Sequence, residues 1–122
     1  MSSVKLFRML AACSGHELRR FRIFLASPWF NQKAECLRLF DHLRPLHPDF
    51  GATDSQAMLA AAWPDGQGKP AQLRHLMSEL VKLLQHFWQQ QSFQKDQPAQ
   101  QRLLLEQLYH RRLDRDFGHH LA

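Results

Sequence analysis

Eight histidines are the residues of this chain best suited to binding a metal ion or transferring a proton. Helical metal sites and zinc proteases use H-x-x-x-H or H-E-x-x-H, because a spacing of four residues places both rings on one face of a helix. Neither pattern occurs here. The histidines are split by a proline, adjacent or isolated: His42 and His47, His119 and His120, and His16, His75, His86 and His110. We therefore expect no metal site and no cofactor.

The serines and carboxylates also lack the sequence context of catalytic groups. None of Ser14, Ser27 and Ser78 lies in a G-x-S-x-G motif. Glu35 and Asp41 are six residues apart, which places them on different faces of a helix, so no carboxylate pair is available for acid–base chemistry. The sequence predicts a protein that is not an enzyme.

Two cysteines, Cys13 and Cys36, form no C-x-x-C motif. A disulfide between them is one interpretation. A pair of buried free thiols is the other, and it is typical of α-rich intracellular proteins. No run of 18 apolar residues occurs, and the segment MSSVKLFRMLAACSG is interrupted by Arg8 and followed by no cleavage pattern. We expect a cytoplasmic chain that has no contact with a membrane.

Basic residues give the chain its most distinctive charge pattern, with 16 Lys and Arg against 11 Asp and Glu and a net charge of +5. This excess attracts anions weakly. No helix-turn-helix pattern and no aromatic stacking platform accompany it. Two arginine groups are candidate anion- or partner-binding surfaces: Arg19, Arg20 and Arg22, near Lys5 and Arg8, and Arg111, Arg112 and Arg115, with Glu17, Asp114 and Asp116 among them. A protein partner is favoured, and a nucleic acid is the alternative.

The elements that must position these residues are all helices. Val and Ile are rare and Leu and Gln are frequent, which favours helix over strand. Proline, glycine and capping residues divide the chain into a compact bundle of five to seven helices. The first is predicted from about Ser3 to Ala12, with Ser2 or Ser3 as its cap. The fourth has Thr53 or Asp54 as its predicted cap and ends at Pro64.

The stretch HELRRFRIFLASPWFN raises the question of whether helix two is a basic helix for a polyanion or a core helix with a charged outer face. Ser14 and Glu17 match the capping box S-x-x-E. Pro28 must end the helix, and Asn31 is the predicted cap of helix three, from about Gln32 to Leu43. The predicted apolar stripes are Leu18, Phe21, Phe24 and Leu25 in helix two, and Cys36, Leu37, Phe40 and Leu43 in helix three. We interpret helix two as a core helix.

Helix five is the strongest prediction and forms the centre of the bundle, over about residues 70–94. Pro70 suits its first turn. Its apolar residues recur at spacings of three and four: Leu73, Leu76, Leu80, Leu83 and Phe87. Met77, Leu84 and Trp88 widen this stripe, and Val81 flanks it. Helix six begins near Pro98. Its C-terminal end has two alternative predictions. The helix stops near Arg112, or it continues to Phe117 with Gly118 as the cap.

Three aromatic residues are candidate docking residues because this small core has little room for them: Trp29 in the SPWFN corner, and Trp88 and Phe93 near the end of helix five. We expect Trp29 or its neighbour Phe30 to fill the gap between helices two and three. The loop DGQGKP contains Gly and Lys but not the spacing of a phosphate-binding loop, so a simple turn is predicted there.

Four stretches follow one another in the chain: HELRRFRIFLASPWFN, HPDF, AAWPDGQGKPAQLRHLMSELVKLLQHF and QRLLLEQLYHRRLDRDF. In this order they resemble the N-terminal region of a family of large, uncharacterised helical bacterial proteins. That family has an SPYFN-like corner and an LRxLMSxLxxLLxxF helix, and the likeness covers nearly the whole chain. Trp29 stands where Tyr is usual, and Arg112 where Gly often breaks the chain. The resemblance implies one helical domain, residues 1–122, at the start of a longer protein, with no implied activity.

A second likeness is to death-fold domains of the pyrin type, whose pattern E-L-x-x-F-x-x-x-L is similar to Glu17, Leu18, Phe21 and Leu25. It implies a six-helix bundle by analogy only. Together these features predict a non-enzymatic protein-interaction or scaffold domain, with a nucleic-acid-binding module as the alternative.

Overall fold

The computed structural model describes residues 2–111, and every element of regular structure in that range is a helix. This confirms the predicted all-α class. The six α-helices of this range are α1 (Ser2–Ala11), α2 (Gly15–Ala26), α3 (Ala34–Leu43), α4 (Ser55–Ala62), α5 (Pro70–Lys95) and α6 (Gln97–His110). A short 3-10 helix, Arg44–Leu46, follows α3.

The chain divides into two compact units, Met1–Phe87 and Trp88–Ala122. The first unit, called the bundle below, contains α1 to α4 and most of α5. The second contains the last turns of α5 and all of α6. The sequence predicts one domain over residues 1–122, whereas the contacts separate these two units within the length of α5. The single domain stays a prediction.

Helix α2 begins with the predicted capping box. The Ser14 hydroxyl accepts a hydrogen bond from the backbone N–H of Glu17, and the Glu17 carboxylate accepts one from the N–H of Ser14, both at 3.1 Å. The two bonds satisfy backbone donors that the first turn leaves unpaired. Ser27, before Pro28, is extended and ends the helix as predicted.

The corner after α2 differs from the prediction in one respect. Asn31 does not cap α3, which begins two residues later than predicted, after Lys33. Instead, the Asn31 side-chain amide donates to the carbonyl of Leu25 at 2.8 Å, and its oxygen accepts from the N–H of Lys33 at 3.0 Å. Asn31 therefore ties the end of α2 to the start of α3. Helix α1 begins at Ser2, one residue before the predicted start. The predicted cap at Ser2 or Ser3 concerns side chains that lie outside the described part of the chain.

The ring of Phe21 joins three helices of the bundle. It is fully buried and lies 5.2 Å from the ring of Phe40 in α3 and 5.3 Å from that of Phe87 in α5. Phe24, on the same face of α2, lies 5.6 Å from Phe87. Such edge-on and tilted contacts stabilise aromatic pairs beyond the burial of their area. This cluster confirms that helix two is a core helix.

Helix α5 buries the predicted stripe with one change. Leu73, Leu76, Leu80 and Phe87 are buried, and so are Met77 and Leu84, which are predicted to widen the stripe. Leu83 is the exception, because it is only half-buried. In α3 the predicted Leu37 is half-buried, and Leu39 is buried with Cys36, Phe40 and Leu43. A helix turns by about 100° per residue, so Leu37 lies about 100° from Cys36, whereas Leu39 lies only about 60° from it on the other side.

Helix α4 is short, and its two ends are satisfied by different means. The Asp54 carboxylate accepts from the N–H of Gln56 at 3.1 Å, which confirms one of the two predicted caps. At the other end the guanidinium of Arg38 donates two hydrogen bonds, at 2.9 and 2.8 Å, to the carbonyl of Ala62. In the loop that follows, a β-carbon on Gly68 would lie 2.5 Å from the Trp63 ring, so only glycine fits there.

In the second unit the Asp96 carboxylate accepts from the N–H of Ala99 at 3.1 Å, and this bond caps α6. Pro98 lies in the first turn, as predicted. The helix ends at His110, close to the earlier of the two predicted ends. The alternative end at Phe117 and Gly118 lies outside the described residues.

Replacement of Leu80 by Asp should unfold the bundle. Leu80 has no exposed surface, and an unpaired carboxylate there should cost about 4 kcal/mol or more, a large share of the stability of a small domain. Urea denaturation followed by circular dichroism measures the loss. Lys82→Asp is the control, because Lys82 is exposed on the same helix. Equal effects of the two changes would contradict the assignment of Leu80 to the core.

Candidate functional site

The outward side of α2 carries two free arginines around an exposed isoleucine. Arg19 and Arg20 precede Ile23 by four and three residues, so the three side chains lie on one face of the helix. That face is opposite the buried stripe, and Ile23 is 67% exposed. Neither arginine has an ion pair or a side-chain hydrogen bond within residues 4–111. We call Arg19, Arg20 and Ile23 the α2 outer face.

Arg22, the third arginine of the predicted group, has a structural partner. Its Nε and one terminal nitrogen donate to the two carboxylate oxygens of Asp41 in α3, at 2.8 and 3.1 Å. The hydrogen bonds and charge of Asp41 raise the pKa of Arg22 above its ordinary value. This two-point ion pair links α2 to α3, so Arg22 contributes less charge to a ligand than Arg19 or Arg20 does.

The two aromatic residues of the corner have opposite environments. Phe30 is half-buried and stacks on Phe24, with ring centroids 4.4 Å apart. Its ring also makes an edge contact with that of His86 in α5, at 5.7 Å. Phe30 is therefore packed against α2 and α5, and the filling of the gap between α2 and α3 stays a prediction. Trp29 is 86% exposed, the largest exposed fraction among the apolar side chains of residues 4–111. A tryptophan held this far into solvent is available for contact with another molecule.

The candidate residues of the second unit are less uniform. Phe93 is 38% exposed, Trp88 is half-buried, and the guanidinium of Arg111 donates to the side-chain oxygen of Gln107 at 3.2 Å. Arg112 and Arg115 lie outside the described residues. No residue of α6 is buried, although the helix carries several large apolar side chains, of which three are exposed: Leu103, Leu104 and Tyr109.

The histidines take structural positions where they have partners. The Nε2 atom of His47 lies 2.9 Å from the carbonyl oxygen of Cys13, and His75 lies 3.6 Å from the Glu79 carboxylate. Within the described part of the chain, no group of three His, Cys, Asp or Glu side chains is placed to hold a metal ion. The ring of His86 instead makes an edge contact with Phe24, at 5.5 Å.

The cysteines are separate, buried thiols rather than a disulfide. Cys36 has no exposed surface, and this burial, as the main cause, raises its pKa to about 11 from an ordinary value of 9.0. The nearby charge of Lys33 opposes the shift, and the carboxylates of Glu79 and Glu35 add to it. Cys36 is thus a core residue whose thiol stays protonated and unreactive at neutral pH.

Across residues 2–111, none of the helices combines the length and the apolar character needed to cross a bilayer.

Sequence reasoning missed two features of this surface. Ile23 was detectable, because its position lies opposite the stripe formed by Leu18, Phe21 and Leu25. The pairing of Arg22 with Asp41 had no local signal, since 19 residues separate the two side chains. Only the packing of α2 on α3 shows which of the three arginines is occupied.

No family model, no curated protein and no solved structure matches this chain. Its function is therefore inferred from the surfaces of its own residues. Of these, the α2 outer face and Trp29 combine the largest apolar exposure with unpaired charge.

The raised pKa of Cys36 predicts a loss of stability at alkaline pH. Above pH 9 the thiol of the unfolded chain ionises while the buried thiol stays protonated, so the free energy of unfolding falls as the pH rises toward 11. Relative to Cys36→Ala, the wild-type chain should lose about 2 kcal/mol between about pH 8 and pH 10.5. Urea denaturation at both pH values measures this difference. A difference that stays constant with pH would contradict burial of an ionisable thiol.

Proposed function

We propose that this chain is a non-enzymatic protein-interaction domain whose partner binds the α2 outer face and Trp29. The exposure of Trp29 is the observation that carries the proposal. Its neighbour Phe30 packs against Phe24, so the corner has room for one aromatic ring and presents the other to solvent. A large apolar side chain exposed to this extent gains free energy when a partner covers it.

The residue types of this surface are those that contribute most to protein–protein binding. Tryptophan and arginine are enriched among the residues that dominate binding energy, because each combines a large contact area with directional hydrogen bonding. Arg19 and Arg20 are free to pair with carboxylates, and Ile23 supplies apolar area between them. The complementary surface is therefore acidic at its edge and apolar at its centre.

A nucleic acid is the alternative partner, and the geometry favours it less. Arg22 is held by Asp41, which leaves Arg19 and Arg20 as the free cations of this group. Strong binding to a phosphate backbone uses many such contacts. An isoleucine between the two arginines also adds nothing to a contact with phosphate.

We also propose that the domain is part of a helical scaffold and lies in the cytoplasm. Leu103 and Leu104, the exposed leucines of α6, suit a scaffold in which further helices pack against the second unit, as the sequence resemblance implies. Two buried thiols suit a reducing compartment, and we therefore propose a cytoplasmic location.

Capture of the partner tests the proposed surface. Purified chain is immobilised and incubated with a lysate of cells that express it naturally, and the bound proteins are identified by mass spectrometry. The wild type should retain a partner that Trp29→Ser and the double change Arg19→Glu with Arg20→Glu lose by about tenfold or more, since each removes a principal contact.

Tyr109→Ser is the matched control for this capture. Tyr109 is also an exposed aromatic residue, at 69%, but it lies on α6 and outside the proposed surface. This variant should retain the partner. Equal retention by all variants, or loss with Tyr109→Ser alone, would place the binding surface elsewhere. Circular dichroism spectra of the variants should be unchanged, because every altered side chain is exposed.

A salt series tests the alternative. Labelled duplex and single-stranded DNA are titrated with the chain from about 50 mM to 200 mM salt, a range over which affinity that depends on phosphate contacts falls steeply. We expect no measurable binding at the lowest salt concentration. Binding that weakens steeply with salt and is reduced by Arg19→Gln with Arg20→Gln would support nucleic-acid recognition instead.

A further inference from the structure

A cavity of about 500 Å³ opens between α1, α4 and α5 in the bundle, away from the surface proposed for the protein partner. Its volume lies within the range of small-molecule binding sites. Three of its apolar lining residues, Met58, Leu73 and Met77, are each only 4% exposed and therefore form its deep part. The cavity is formed by packed helices and does not depend on a loop to close it.

The deep part of the cavity is apolar and adaptable. Met58 and Met77 are unbranched and have polarisable sulfur atoms, so they adjust to ligands of different shape. Phe7 of α1 completes this lining, and its ring is held by a stacked contact with Phe50 at 5.6 Å. A molecule that enters this space must present an apolar body to these side chains.

The rim of the cavity is polar and carries a positive charge. Thr53 and Ser55 offer hydroxyl groups at the start of α4, and Arg74 projects from the first turns of α5. The guanidinium of Arg74 has no hydrogen bond or ion pair with any residue in the range 4–111. Among the described residues, no Asp or Glu lines the cavity. The nearest acid in sequence to the rim hydroxyls, Asp54, accepts a hydrogen bond from the N–H of Gln56 as the cap of α4. A guanidinium matches the two oxygens of a carboxylate in planar geometry.

We propose that this cavity binds a small apolar molecule with a single carboxylate group. The apolar body lies against Met58, Leu73 and Met77, and the carboxylate accepts hydrogen bonds from Arg74 at the rim. Charge complementarity decides the class of ligand: an amine would be repelled by Arg74, and an uncharged apolar compound would leave its guanidinium unpaired. This site is independent of the proposed protein-binding surface, because the two share no residue.

The methionines provide a direct readout of binding. The chain has four methionines, of which two line the cavity, and Met9 of α1 serves as an internal reference because it does not. Full-length chain labelled with ¹³C at the methionine methyl groups is titrated with decanoate below its micelle concentration. The Met58 and Met77 signals should shift and saturate while the Met9 signal stays in place. No saturable shift, or equal shifts of all the methyl signals, would overturn the proposal.

Charge variants test the role of Arg74. Arg74→Gln should weaken decanoate binding by about tenfold or more, since hydrogen bonds to a charged group are lost. Lys82→Gln removes the same charge from an exposed position on α5 outside the cavity, and this control should bind decanoate normally. 1-Decanol should bind the wild type and Arg74→Gln alike. Equal decanoate affinity in wild type and Arg74→Gln, or equal weakening by both variants, would overturn the assignment of the carboxylate to Arg74.

Discussion

The burial of Phe21 is the constraint on which the rest of the bundle depends. Its ring has no exposed surface and meets rings from α3 and α5, so it sets the rotation of α2 about its own axis. Once that side of the helix is buried, the residues opposite it must face solvent. The exposure of Arg19, Arg20 and Ile23 follows directly from this rotation.

Polar side chains then complete the ends of short helices that would otherwise leave backbone groups unpaired. Arg38 binds the last carbonyl of α4, Asn31 bridges α2 and α3, and the Ser14–Glu17 pair closes the first turn of α2. The arginines therefore have two roles. Arg22 and Arg38 are bound within the bundle, whereas Arg19, Arg20 and Arg74 have unpaired guanidinium groups, and these three define the surfaces proposed for binding.

The two proposed sites differ in the physical basis of their selectivity. At the α2 outer face and Trp29, apolar area and charge lie on exposed side chains, which suits a macromolecule with a matching patch. In the cavity between α1, α4 and α5, the apolar side chains lie in a concave space and a single charge lies at the rim, which suits a small molecule. A partner protein and a small ligand need not compete, because no residue is shared.

The sequence by itself determined the helical class, the capping box of α2, the end of that helix before Pro28 and most of the stripe on α5. These features depend on interactions between residues at most four positions apart, whose rules are visible in local spacing. Within the bundle the same rules did not decide which of the neighbouring Leu83 and Leu84 is fully buried, because either side chain can turn toward the core.

Tertiary structure alone decided which aromatic of the corner is packed, which arginine of α2 is occupied, and what Asn31 binds. It also created the cavity, whose lining brings α1 together with α4 and α5. The pairing of Arg22 with Asp41 likewise joins two residues 19 positions apart in the chain. Local spacing carries no information on such contacts, because they arise only when one helix packs against another.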